Sequence, residues 1–242
     1  MRFLLVICFT FAIFLVVISG CHKKPEDAAE KDKNATLMVA SARGDLSRVQ
    51  RLLREGAQVN QRNSDGQAAI HCAALSKNVL VVEALIQAGA DVNARSVGNV
   101  TPLMLSLDMA FGEPDISLAL IRAGADVNVA DENGDTALII ATTESSSKVF
   151  QALLERGANP NAKGQQGETA LHYAAMNAIL DRAKLLLEHG ADANIRNSVG
   201  KAPIDVAYTT NPDKLVQAKF QAMRNLLLDS TPQKRKPTLT PD

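Results

Sequence analysis

Seven side chains in this sequence are of the types that most often do chemistry: Cys8, Cys21, Cys72, His22, His71, His172 and His189. Their spacing decides what they can do. Cys8 and Cys21 lie in or at the end of an apolar N-terminal run, so the body holds one thiol, Cys72, and no disulfide framework can form within it. No Cys and His fall at zinc-ligand spacing. The chain also lacks a phosphate loop, a His-Glu-x-x-His, a nucleophile elbow and a Gly-x-Gly-x-x-Gly. Acid pairs such as Asp131 and Glu132 read as solvated surface. Nothing in the pattern therefore points to a catalytic residue, a cofactor or a metal, and the chain is expected not to be an enzyme.

One residue remains that is placed for covalent chemistry, Cys21. It follows an uncharged run from Phe3 to Ile18 and the small residues Ser19 and Gly20, the anatomy of an export signal. That run is shorter than the roughly 20 residues a helix needs to span a bilayer. Ile18-Ser19-Gly20-Cys21 resembles a bacterial lipobox. The resemblance implies removal of residues 1–20, acylation of Cys21, and a lipid anchor held by two or three chains. An uncleaved anchor and an ordinary secretory signal stand as alternatives, since Arg2 alone makes a thin basic region. His22, rather than Asp, follows the cysteine, which resembles the class sorted to the outer membrane and held facing the periplasm. Residues 21–36, rich in Lys, Glu, Asp and Ala, read as a solvated tether.

Behind the tether, elements must be found that present a surface. The whole chain balances 26 Lys and Arg against 26 Asp and Glu, which disfavours a nucleic-acid partner. Hydrophobic residues make up 46% but aromatics only 4%, with no Trp, the composition of small helices packed through short apolar side chains. Self-similarity supplies the organisation. Gly56, Gly89, Gly124, Gly157 and Gly190 are separated by 33, 35, 33 and 33 residues, and Asn60, Asn93, Asn128, Asn161 and Asn194 repeat that spacing. A third series, Ala68-Ala69-Ile70-His71, Thr101-Pro102-Leu103-Met104, Thr136-Ala137-Leu138-Ile139, Thr169-Ala170-Leu171-His172 and Ala202-Pro203-Ile204-Asp205, marks helix starts. Thr caps the first turn, Pro is tolerated within it, and the Gly series ends each second helix in a left-handed turn.

Five registers agreeing on three motifs resemble the ankyrin repeat family over residues 37–228. The resemblance implies an all-α solenoid of about six helix-turn-helix units with projecting β-hairpin loops, stabilised repeat by repeat. The expected units are 37–57, 58–90, 91–125, 126–158, 159–191 and 192–228, with residues 229–242 a tail that is disordered or a basic docking segment. The first unit, with Arg43, Arg48, Arg51 and Arg54, is a solvent-facing cap, and the last closes the other end. His71 and His172 take a structural helix-start position, and Cys72 is a packed thiol. Asn99 stands where other registers place Gly, and is expected in a left-handed turn. Two extra residues fall at Met109–Pro114, where Phe111 either meets a partner or folds over the neighbouring helices.

Members of that family bind proteins through hairpin tips and the exposed edge of each first helix, which together line a concave groove. Carried onto this register, the binding face comprises Leu75 and Ser76, Asp108, Met109 and Phe111, Thr143 and Glu144, and Met176 and Asn177 on the helices. On the tips it comprises Val97, Val100, Glu132, Asn133, Asp135, Gln165 and Gln166. Leu75, Val97, Val100, Met109 and Met176 are apolar where water is otherwise expected, an adaptable patch flanked by acidic tips; packing between repeats is the alternative for some of them. The expectation is a monomeric, membrane-anchored, non-catalytic binding module in the bacterial envelope. An immunity-type inhibitor of a periplasmic toxin or enzyme is its alternative.

Overall fold

The computed structural model describes residues 33–107, 114–208 and 213–230. Cys21, Asp108, Met109 and Phe111 lie outside them, as do the export signal, most of the tether and the tail.

Twelve helices follow one another among the described residues, in pairs. They are α1 (Lys33–Ala42) and α2 (Leu46–Arg54), α3 (Ala69–Ala74) and α4 (Val79–Gln87), α5 (Pro102–Leu105) and α6 (Pro114–Arg122), α7 (Ala137–Glu144) and α8 (Ser147–Glu155), α9 (Ala170–Met176) and α10 (Leu180–Glu188), α11 (Pro203–Val206) and α12 (Lys214–Ser230). Each first helix packs on the next first helix, and each second on the next second, so the chain is a two-layer stack. Between pairs run hairpin turns in which one isolated antiparallel bridge, Ala130 to Thr136, is the extent of β pairing among the described residues.

Short first helices made almost wholly of small apolar residues allow the layers to approach closely. In α3 every residue from Ala69 to Ala74 is buried, including Cys72 and His71. One larger side chain per repeat fills the centre: Ile70, Leu103, Leu138 and Leu171 are each at most 1% exposed. The second helices answer with Leu85, Leu120, Leu153 and Leu186, all fully buried. Truncating any one of these to Ala leaves a cavity costing about 3 to 5 kcal/mol.

The helix starts behave as their sequence asks. Thr101 Oγ1 accepts from Met104 N–H at 3.3 Å and Thr136 Oγ1 from Ile139 N–H at 3.4 Å, with Pro102 in the first turn of α5. Where Ala replaces Thr the third helical residue supplies the bond instead: Ala68 N–H donates to His71 Nδ1 at 3.1 Å, and Ala202 N–H to Asp205 Oδ2 at 2.9 Å. At the other end, Gly56, Gly89, Gly124, Gly157 and Gly190 all take φ between 79° and 89°. Asn99 shares that left-handed region at φ 60°, as its register requires.

The Asn series ties one repeat to the next. Asn60 Nδ2 donates to the Gly89 carbonyl at 2.9 Å while Asn60 Oδ1 accepts from Asp91 N–H at 2.8 Å. The opening unit differs from its expected bounds, because α1 begins at Lys33, within the segment read as tether. Asn34, on that first turn, accepts from Gln58 N–H at 2.8 Å and so starts the same ladder. Thr36 and Leu37 are buried beneath it.

Candidate functional site

The hairpins form a continuous row because successive tips are bonded to each other. Val97 N–H donates to the Asp65 carbonyl at 2.9 Å, Glu132 N–H to Gly98 at 2.9 Å, and Ser198 N–H to Gln166 at 2.8 Å. Between the third and fourth hairpins Gln165 N–H donates to Asp135 Oδ1 at 3.0 Å. On this row Val97 is 67% and Val199 72% exposed, and Glu132 and Gln166 are exposed beside them. Gln166 holds a left-handed φ of 57°. Asn133, Asp135 and Gln165 are half-buried between neighbouring tips.

The first-helix ends are less open than the register implies. Leu75 and Met176 are half-buried and pack against the core, and Thr143, Glu144 and Asn177 are half-buried around them. Asn177 Nδ2 donates to the Tyr173 carbonyl at 2.9 Å, and Thr143 Oγ1 to Glu144 Oε1 at 3.1 Å. Two expected contact residues are corrected by burial. Ser76 is 2% exposed because its hydroxyl accepts from Asn78 N–H in the α3–α4 turn. Val100 is 7% exposed because its carbonyl faces His71 Nε2 at 3.3 Å, which draws the backbone behind the tip inward.

His71 and His172 sit inside this framework, whereas His189 is exposed beside the Gly190 turn. His71 Nδ1 accepts a backbone N–H, so Nε2 carries the proton and donates to the next repeat's carbonyl. His172 repeats the arrangement with Thr169 N–H at 3.2 Å and the Lys201 carbonyl at 3.0 Å. Burial pushes His71 down to about 4 and lowers His172 as well. Both are neutral pins between repeats at pH 7. Cys72 is buried at 0% exposure.

Three features were not foreseen. Arg182 on α10 donates from Nη1 to the carbonyls of Ala141, at 2.5 Å, and of Thr142, and from Nη2 to Ser145, while its guanidinium lies 5.3 Å from the centre of the Phe150 ring. It closes the C-terminal end of α7, giving the Thr142 and Ser145 carbonyls a donor and joining Ser145 N–H and Oγ–H on the Ala141 carbonyl. Tyr173 lies near Asp135 and Glu168, and burial first, then those charges, push its hydroxyl well above the ordinary value. A cleft of about 250 Å³ between the third and fourth units is lined by Ser106, Leu107, Pro114, Ser117, Glu144 and Ser145, among others. Its buried hydroxyls satisfy each other, with Ser106 Oγ and Ser117 Oγ 2.9 Å apart, and no histidine lines it. Among the described residues no group of three His, Cys, Asp or Glu is placed to hold a metal ion, and no helix is long and apolar enough to cross a membrane.

The model of ankyrin repeats matches the chain three times, over residues 11–96, 37–131 and 109–197. The chain belongs to the ankyrin repeat family. The mitochondrial disaggregase of Bos taurus is 37% identical over 83 residues, 34% of this chain and 12% of that protein. The ankyrin repeat protein YahD of Escherichia coli (strain K12) is 33% identical over 76 residues, 31% of this chain and 38% of its own length. Ankyrin repeat domain-containing protein 49 of Homo sapiens is 39% identical over 77 residues, 31% of this chain and 32% of that protein. The chain thus spans well under half of each of these relatives, and what it shares with them is the repeat array. Among solved structures, a chain from the complex of a predatory endopeptidase of Bdellovibrio bacteriovorus with an immunity protein superposes with a TM-score of 0.67 and 24% identity. The match covers 81% of this chain and 97% of that one, and shows the same fold. Ankyrin arrays are protein-binding modules and are generally not catalysts, and this chain has that architecture.

Proposed function

We propose that this protein is a non-catalytic adaptor of the bacterial envelope, held to the membrane by lipid on Cys21 and binding one protein partner across its hairpin tips. The observation that carries the binding reading is where the side chains go. His71, His172, Cys72 and the central leucines are consumed by packing between repeats, whereas Val97, Glu132, Gln166 and Val199 stand open along one row. A row of rigidly bonded tips holding two isolated valines among polar side chains is suited to a partner with apolar anchors and complementary polar groups. The membrane reading is supported by the residues ending at Cys21, and the outer membrane facing the periplasm by His22 after it. The partner reading is tested by comparing capture on variants of the tip row and of the second-helix layer, and the anchor by Cys21→Ser.

A second reading, an immunity-type inhibitor, has one observation in its favour. The same architecture, matched over 97% of the other chain, occurs in a complex of an endopeptidase with an immunity protein. An inhibitor blocks the activity of the enzyme it captures at one-to-one stoichiometry, whereas an adaptor leaves that activity intact.

A further inference from the structure

One junction in the hairpin row is built differently from the rest. Asn63, Asp131 and Asn197 hold equivalent places in their hairpins, and each uses a side-chain oxygen to accept two N–H groups of its own turn. Asn63 Oδ1 takes Asp65 and Gln67 at 3.0 and 2.9 Å, Asp131 Oδ1 takes Asn133 and Asp135 at 2.8 and 2.9 Å, and Asn197 Oδ1 takes Val199 and Lys201 at 3.1 and 2.9 Å. The second hairpin has Ser96 at that place, its hydroxyl donating to the Val97 and Val100 carbonyls, and the fourth has Gly164, with no side-chain oxygen at all. A methyl group built on Gly164 would lie 1.9 Å from Asp135 Oδ1, so the carboxylate of the preceding hairpin occupies the space the missing side chain leaves. From there it accepts Gln165 N–H at 3.0 Å, while the other three junctions use a backbone carbonyl.

We propose that Asp135 is a proton-responsive pin, tying the third hairpin to the fourth in place of the side chain that Gly164 lacks. The charged and titratable groups facing it are Asp131 on its own hairpin, Glu168 on the next and Tyr173 on α9. Burial is the largest influence and, with Asp131 and Glu168, holds the carboxyl up at about 6, against the opposite pull of Gln165 N–H. The folded chain therefore keeps this proton between about pH 4 and 6, where an unfolded chain has released it. Burial favours the protonated carboxyl more than the Gln165 hydrogen bond favours the ionised one, so the net stabilisation is present at low pH and is lost as pH rises through about 6. Above that, ionised Asp135 accepts Gln165 N–H more strongly but is half-buried beside Asp131 and Glu168, a net cost that destabilises the junction between the third and fourth hairpins.

The test uses the full chain and four proteins: wild type, Asp135→Asn, Gly164→Asp, and Gly164→Asp combined with Asp135→Ala. Denaturant unfolding is followed from pH 4 to 7, with amide exchange of the segment containing Gln165. Burial lowers His71 and His172, an effect on stability of the opposite sign, so the ratio of wild type to Asp135→Asn is the quantity read. A partly exposed carboxylate yields less than the roughly hundredfold ceiling, and the wild-type unfolding constant should rise about tenfold relative to the Asn variant from pH 4 to 7. Exchange of the Gln165 segment, corrected for intrinsic rate, should quicken over the same range in wild type only. Gly164→Asp should destabilise the fold, and Asp135→Ala should relieve it by vacating the space. A pH-independent ratio overturns the pin, as does a Gly164→Asp defect that Asp135→Ala leaves unrelieved. Asp135→Asn, which keeps the accepting oxygen, decides the matter even where Gly164→Asp does not fold.

Discussion

Asn128 Nδ2 donates to the Gly157 carbonyl at 3.0 Å, at the point where the fourth repeat ends and the fifth begins. That carbonyl stands at the left-handed turn after α8, where the helix has no acceptor use for it. The same side chain accepts Asn159 N–H at 2.8 Å, so one amide satisfies both sides of the boundary. Asn93 with Gly124 and Asn161 with Gly190 repeat the arrangement at 3.3 and 3.0 Å. At the end of the row Asn194 turns back onto Asp192 at 2.9 Å. A ladder of this kind couples neighbours without requiring any long-range contact, which is how a one-dimensional array becomes cooperative.

Asn128→Ala should cost about 2 kcal/mol, the net worth of two hydrogen bonds. Asn194→Ala, which severs no boundary, should cost under about 0.5 kcal/mol by the same reasoning. Equal losses in urea unfolding would mean that the amides act within their own turns.

Arg182→Met should destabilise the fold by about 2 to 3 kcal/mol, because it strips three hydrogen bonds from the end of α7 and takes away the donor that the Thr142 and Ser145 carbonyls receive from Arg182. Arg182→Lys should recover little of this, since a single ammonium cannot reproduce the planar fork that reaches three carbonyls. A lysine variant as stable as wild type would show that the charge, rather than the fork, is what the site needs.

His71 is held near 4 against an ordinary 6.5, so the unfolded chain binds its proton first as the pH falls. Stability contributed by neutral His71 is complete above about pH 6.5 and is lost progressively down to about 4, amounting to roughly 3 kcal/mol at most. His71→Gln should flatten that limb of a pH series of unfolding midpoints. An unchanged slope would place the titration elsewhere.

Much of the fold was legible because a repeat array writes each structural demand several times. Gly at the left-handed turn, Thr, Ala or His around the helix start, and Asn on the ladder recur at one spacing, and the structure uses them at that spacing. Asn99 could be read even as an exception, since Asn is the residue best able to replace Gly there. The surface was less legible. Register places Ser76 and Val100 on the face, but a turn hydrogen bond and the demand of His71 for a carbonyl draw them inward, and neither pull recurs visibly in the pattern. Arg182 was illegible because it serves one boundary only. The pairing of Asp135 with Gly164 is likewise a single event, an acid lent across a junction to a residue with no side chain.

Cys21→Ser should abolish acyl-chain labelling and leave the precursor uncleaved, as gel mobility and metabolic labelling would show. Continued labelling of the variant would remove the lipid anchor from the account, while leaving the ankyrin array and its binding face untouched.

Leu75 packs against the core, so an acid there would mix lost stability with lost binding. The cleaner comparison sets Val97→Asp with Glu132→Lys, on the exposed tips, against Leu80→Asp on α4, where Leu80 is 51% exposed in the second-helix layer. The measurement is quantitative affinity capture from the native envelope with each full-length protein, with melting temperatures recorded alongside. The account predicts a partner recovered in stoichiometric amount by wild type and by Leu80→Asp, and lost with the tip variant, all three melting within a few degrees. A partner retained by the tip variant and lost with Leu80→Asp would contradict it, and would move the binding face to the opposite side of the stack.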